Sequence, residues 1–171
     1  MNYKIAQLAV SSEQKTDSVS KIFISQPAIE EEALLGRLII IIDLKTKKTE
    51  MVRLVNFIIE QIKHNYYHNE QIILLQKTAS VKVANIFESA IAKLNQNIVE
   101  YLTAEKIKFN PTNINITIGV IYQNELHYVN LGRNKALLIC RSKTKTNDSD
   151  FTLTDVTKNT AEGNKEIFNI N

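Results

Sequence analysis

The chain of 171 residues has no tryptophan, one cysteine, two prolines and four glycines. A single cysteine, Cys140, excludes an intrachain disulfide framework and fits a reducing compartment, so a cytoplasmic location is expected. It closes an apolar stretch and reads as a small buried hydrophobe rather than a nucleophile. The four glycines are scattered, which excludes a glycine-rich phosphate loop. No nucleophile-elbow pattern is present from which a Ser-His-Asp triad might be assembled. The longest apolar run, Leu38 to Ile42, falls far short of the about 20 residues a membrane helix needs. No signal peptide is visible ahead of the strand pattern that starts at Tyr3. Charge of one sign is also scarce, with 21 Lys and Arg against 18 Asp and Glu, a net +3. That argues against a nucleic-acid surface, which needs a concentrated basic face. The two basic clusters, Lys45 to Lys48 and Arg141 to Lys145, fall in expected loops and read as solvated turns.

What is present fits one globular domain, with 44% hydrophobic and 23% charged residues. The abundance of Ile, Lys and Asn suggests an AT-rich genome. Tyr3 to Val10 reads as a strand, followed by a polar loop from Ser11 to Ser20. Ile22 to Ile24 is a short strand closed by Pro27, which cannot donate to a ladder. Leu38 to Asp43 is a continuous apolar, β-branched run, the pattern of a central strand buried on both faces. From Thr49 to Tyr66 the residues Met51, Leu54, Val55, Ile58 and Ile62 form a helical stripe, with Thr49 as N-cap. Ile72 to Leu75 suits either a connector or the next helix. A long helix then follows Ser80 as its cap. Its apolar face carries Ala84, Phe87, Ile91, Leu94, Ile98 and Tyr101 or Leu102 over about six turns. Asn110-Pro111 ends the helical region.

The most informative stretch runs from Ile114 to Cys140. Ile114, Ile116, Ile118, Val120 and Tyr122 alternate with Asn113, Asn115, Thr117 and Gly119, the period of a half-buried strand. Gln123-Asn124-Glu125 is a first turn. Gly132 to Asn134 is a second, where Gly and Asn tolerate positive φ. The expected strands are Leu126 to Leu131 and Lys135 to Cys140, paired as a hairpin. Ser142 to Asp150 reads as a loop and Phe151 to Val156 as a last strand. From Lys158 onward the chain is a polar tail, in which Ile167 to Ile170 forms a short element without a visible partner. Two layers of antiparallel sheet flanked by antiparallel helices, an α+β architecture, would satisfy this order.

The block Tyr128-Val129-Asn130-Leu131-Gly132-Arg133-Asn134-Lys135-Ala136 resembles the "N-(V)-G-D-S-R-A" hairpin of metal-dependent PP2C-type (PPM) protein phosphatases. Asn130, Leu131, Gly132 and Ala136 match. Arg133 stands in place of Asp, Asn134 in place of Ser, and Lys135 in place of Arg. Gly36 to Asp43 is similar to the family's "G-x-L-F-x-V-x-D-G-H-G-G". Asp43 falls on its metal-bridging aspartate, Leu44 replaces the following glycine, and Lys45 to Lys47 replace the glycine-rich turn. Leu153-Thr154-Asp155 is a weaker echo of "L-T-x-D-H". The acidic motif expected near Phe23 to Gln26 is missing. The later Asp-Gly and Asp-Asn motifs would lie beyond Asn171.

The resemblance covers about Tyr3 to Asp155 and implies a PP2C-like antiparallel β-sandwich flanked by long antiparallel helices, in truncated form. Residues 1–157 would be that domain and 158–171 a polar tail or incomplete C-terminal element. Family members hydrolyse phosphoserine and phosphothreonine with two Mg²⁺ or Mn²⁺ ions that activate a bridging water. Only Asp43 aligns with a ligand, and hard cations want several oxygens converging on one point. With Lys45, Lys47 and Lys48 following it, Asp43 is expected to end a strand and start a turn. The reading is therefore a catalytically inactive domain with no cofactor, acting as a regulatory module on a protein partner or as a homo-oligomer. One alternative is a fragment of an active phosphatase that uses Mn or Mg. Another is a self-associating structural protein. Arg133 and Lys135 are the candidate anion-binding pair at the hairpin tip. His64 and His68 stand four apart on one helical face. Without a third ligand they read as surface histidines rather than a zinc site.

Overall fold

In a computed structural model, residues 6, 18–46, 48–73, 82–141, 151–155 and 168–170 are described. The expected strand from Tyr3 to Val10 and the loop from Ser142 to Asp150 lie outside them, apart from Ala6.

The fold is organised by strand β2, Arg37–Lys45. β1 (Ser18–Ile24) pairs with one edge of it and β3 (Ile114–Tyr122) with the other, both antiparallel. β4 (Glu125–Leu131) continues the sheet beyond β3. Leu38, Ile40, Ile42 and Leu44 stand opposite Val120, Ile118, Ile116 and Ile114. Directly opposed residues share a face, so these eight residues make one apolar layer. The four from β2 are at most 1% exposed. The other face of β2 is not covered in the same way, and Ile41 is 40% exposed. This corrects the expectation of burial on both faces. A β-branched run fits any pleated position, and both long helices lie on the same side.

Those helices are α2, Thr49–Tyr67, and α3, Val83–Ala104. The α2 stripe of Met51, Leu54, Val55, Ile58 and Ile62 is buried, as its spacing predicts. From α3, Val83, Ile86, Phe87, Ala90 and Leu94 join the same core. Burying such a large aliphatic side chain contributes about 1.5–3 kcal/mol. The two helices run antiparallel. Phe57 stacks on Tyr101 with ring centroids 4.2 Å apart, Asn97 Nδ2 donates to Gln61 Oε1 at 2.6 Å, and Tyr66 meets Phe87 edge-on. α2 starts at Thr49 as expected, but neither helix has the expected capping residue. Lys48 occupies the cap position of α2 without a side-chain bond, and Thr46 Oγ1 instead accepts the Lys48 N–H at 3.0 Å. α3 begins after Lys82, while Ser80 lies outside the described residues.

A short helix, α1 (Ile29–Leu35), was not expected between Pro27 and β2. Glu30, Glu31 and Glu32 fill its first turn, where the helix dipole favours negative charge. Leu35 anchors it in the core at 1% exposure. Gly36 then turns into β2 at φ +73°, a conformation that favours glycine. Glu32 holds Arg37 through two bonds of 2.7 and 2.9 Å.

The largest departure follows β4. The expected hairpin between Leu126 to Leu131 and Lys135 to Cys140 does not form. β5 (Leu137–Arg141) pairs with β6 (Phe151–Asp155) in a separate two-stranded sheet. The outer neighbour of β4 is β7 (Phe168–Ile170), with Leu126 opposite Ile170. Of the expected Ile167 to Ile170 element, Phe168–Ile170 thus has a partner after all, and Ile167 lies outside the described residues. The architecture is α+β: a mainly four-strand antiparallel sheet edged by β7, with α2 and α3 on one face. No helix among the described residues is long and apolar enough to cross a membrane.

Candidate functional site

The face of the sheet away from the helices carries a polar ladder at one end. Ser20 on β1 stands opposite Asp43 on β2, and Asp43 stands opposite Asn115 on β3. Register alone therefore puts the three side chains in one row. Ser20 Oγ donates to Asp43 Oδ1 at 2.7 Å, and Asn115 Nδ2 approaches Asp43 Oδ2 at 3.4 Å. Asn115 Oδ1 accepts the backbone N–H of Arg133 at 2.7 Å.

This last bond brings the turn after β4 onto the row. Gly132 adopts φ +91°, and a Cβ there would fall on Asn115 Oδ1 and 2.8 Å from the Ile114 carbonyl oxygen. Only glycine satisfies both the angle and the approach. A second row lies beside the first. Thr117 Oγ1 donates to Asn130 Oδ1 at 2.6 Å and accepts from Asn134 Nδ2 at 3.0 Å. Asn130 Nδ2 closes the loop on the Asn134 carbonyl at 3.1 Å. Asn130, Gly132 and Asn134 thus shape the exit from the sheet.

The structure therefore brings together Asp43 and the Gly132 turn, which the sequence separates by just over half the chain. Arg133 and Lys135 are exposed at this end, as is Lys45, two residues past Asp43 on the same face. Among the described residues none of these three cations is in an ion pair. The Mn or Mg pair that the resemblance implies does not fit this donor set. A hard cation needs several converging oxygens. Here one carboxylate already accepts from neutral donors, and Lys45 follows two residues on along the same strand face. Asp155 lies on β6 in the other sheet. Its charge there adds to burial in raising Tyr128 above the ordinary tyrosine range.

No family model, curated protein or solved structure matches the chain. The chemistry of the site rests on its own geometry.

The histidines sit elsewhere. His64 and His68 stack at 5.0 Å between centroids at the exposed end of α2. His127 is on β4 at 2% exposure, with Nε2 3.1 Å from Glu125 Oε2. Among the described residues no three His, Cys, Asp or Glu side chains come together as a metal ion would require.

A second feature occupies the opposite end of the sheet. A cleft of about 370 Å³ is lined by Phe23, Ser25, Pro27, Glu31, Tyr67 and His68, among others. Ser25 Oγ lies 2.7 Å from Tyr67 Oη and accepts the Leu38 N–H at 2.9 Å. Tyr67 also donates to the Gly36 carbonyl at 3.2 Å. Burial pushes Tyr67 up, with the Ser25 bond opposing. These groups are engaged in tying β1, β2 and α2 together, which makes the network structural.

Sequence reasoning named Asp43, Gly132 and Arg133 but not their partners. Ser20 falls in a stretch whose sequence has the character of a polar loop, yet it lies on β1. Asn115 and Thr117 were visible only as the polar half of an alternation. Nothing local marks which of two polar strand positions will face a turn from another strand.

Proposed function

We propose that the chain is a PPM/PP2C-like domain without phosphatase chemistry, acting as a regulatory, protein-binding module. The observation that carries this reading is the Asp43 row. At the position where the resemblance expects a bridging aspartate, both carboxylate oxygens face the neutral donors Ser20 and Asn115. The turn residue whose backbone N–H bonds to Asn115 is Arg133 rather than an acid. The glycine turn of the motif is kept although its hairpin is not, and basic Arg133 stands in place of the acid, which opposes a divalent cation. The antiparallel sheet with two long antiparallel helices on one face is compatible with half of a PP2C-like sandwich.

The test is a phosphopeptide hydrolysis assay with millimolar Mn²⁺ or Mg²⁺, run beside a thermal-shift titration. A ligand at about 100 times its Kd stabilises the folded state by about 2.7 kcal/mol. The expected result is no hydrolysis and no metal-dependent rise in melting temperature. Hydrolysis that depends on Mn²⁺ and disappears in Asp43→Ala would overturn the reading.

A further inference from the structure

The Gly132 turn and α1, at opposite ends of the sheet, carry opposite exposed charge. At one end stand Lys45, Arg133 and Lys135, with Leu131 and Leu137 beside the turn at 51% exposure each. Asp43 is half-buried and hydrogen-bonded there, and Glu50 at the start of α2 pairs with Lys48, which leaves Lys45, Arg133 and Lys135 as the outward charges around the turn. At the other end α1 presents Glu30 and Glu31, both exposed, next to Ile29 at 88% exposure. Glu32 is taken by Arg37. An exposed isoleucine followed by two carboxylates is the complement of exposed leucines flanked by three cations.

The two ends cannot satisfy each other within one molecule. β2 begins right after α1 and ends at Lys45. At ~3.3 Å per residue the strand holds them roughly 27 Å apart. That is several times the ~8 Å screening length at physiological salt. A second copy meets no such limit.

We propose that α1 of one copy docks on the Gly132 end of the sheet of another, with Glu30 and Glu31 on Arg133 and Lys135 and Ile29 against Leu131 and Leu137. This rests on reading the chain as an interaction module and names its partner as a second copy. Because the two surfaces differ, the contact is head-to-tail. It adds copies in a ring or row rather than closing a two-fold dimer. The charge pairs hold and orient the contact and reject the wrong end, so screening them dissociates it, while Ile29 against the leucines adds apolar area.

The experiment is sedimentation velocity on the full chain over a concentration series at about 0.1 M and about 1 M salt, between which the screening length falls from ~10 to ~3 Å. Average mass is expected to rise with concentration at low salt and to return to monomer at high salt. Arg133→Glu with Lys135→Glu makes both ends acidic, and Glu30→Lys with Glu31→Lys makes both basic, so each variant alone should be monomeric. All four side chains are exposed, and the melting temperature of each variant checks that it folds. An equimolar mixture restores complementary ends, now alternating between the two variants, and its average mass should again rise with concentration. A monomer at every concentration in low salt overturns the proposal, and so does a mixture that stays monomeric. Association that survives the charge reversals or about 1 M salt does the same. None of these outcomes bears on hydrolysis. Failure of this contact is therefore distinct from failure of the non-catalytic reading, which the Mn²⁺ assay decides.

Discussion

Asn115 accepts the backbone N–H of Arg133 on its side-chain oxygen at 2.7 Å. That one bond joins the middle of the sheet to the turn where the chain leaves it. It lets a carboxamide on β3 govern both the Gly132 conformation and the donor set around Asp43.

Asn115→Ala should cost about 1 kcal/mol, the ordinary net value of a hydrogen bond at a partly exposed position. The measure is the midpoint of urea unfolding at constant slope. Asn115→Asp keeps the acceptor but sets a second carboxylate directly opposite Asp43. Its loss of stability should exceed that of Asn115→Ala at neutral pH and shrink as the pH falls toward ~4, where carboxylates protonate. A pH-independent difference would remove the placement of these two side chains.

Gly132→Ala should destabilise by more than 1 kcal/mol. It combines a positive φ with a Cβ directed at Asn115 Oδ1 and at the Ile114 carbonyl. Combining it with Asn115→Ala should cost less than the sum, because the smaller side chain removes one of the two clashes. Strict additivity in a double-mutant cycle would show that the turn is not held against Asn115.

Stability should fall as the pH rises beyond ~10, the ordinary tyrosine value. Tyr66 is fully buried, and its hydroxyl donates to the Leu35 carbonyl at 2.5 Å. Burial, with the neighbouring phenols of Tyr67 and Tyr122 adding, pushes its pKa well above that range. A group whose folded pKa is raised contributes fully below the unfolded pKa and loses that contribution above it. Tyr66→Phe should lower stability at neutral pH, where the Leu35 carbonyl loses its donor, and should flatten the alkaline decline. An unchanged alkaline limb in Tyr66→Phe would mean that another group governs it.

Asn65→Leu should stabilise the protein by about 1 kcal/mol. Asn65 is 4% exposed on α2, and among the described residues neither polar atom of its carboxamide has a hydrogen-bond partner. An unsatisfied buried amide costs about 1–3 kcal/mol, while a leucine of similar volume adds to the surrounding apolar face. A lower unfolding midpoint for Asn65→Leu would show that the amide is satisfied in solution.

The elements were legible where one local period ran long enough. The stripe from Met51 to Ile62 and the alternation from Ile114 to Tyr122 each carry their own signal, because a helix repeats every 3.6 residues and a strand every two. Gly132 was legible as a turn for a similar local reason. Helix starts were less so. Thr49 and Ser80 have the chemistry of caps, yet Lys48 and Lys82 take those positions without a side-chain bond. The packing of α2 and α3 on the sheet outweighs the roughly 1 kcal/mol a cap supplies.

By itself the sequence determined that this is an α+β chain with two long amphipathic helices, an apolar central strand and a glycine turn after Asn130-Leu131. Those features follow from side-chain size and from periods read over a few neighbours. Only the tertiary structure decided that one face of β2 stays partly open, that β5 pairs with β6 instead of β4, and that Asp43 meets the Gly132 turn through Asn115. Each depends on register between strands far apart in the chain. A shift of one residue turns every side chain to the other face, so no local pattern specifies which polar side chains will share a row.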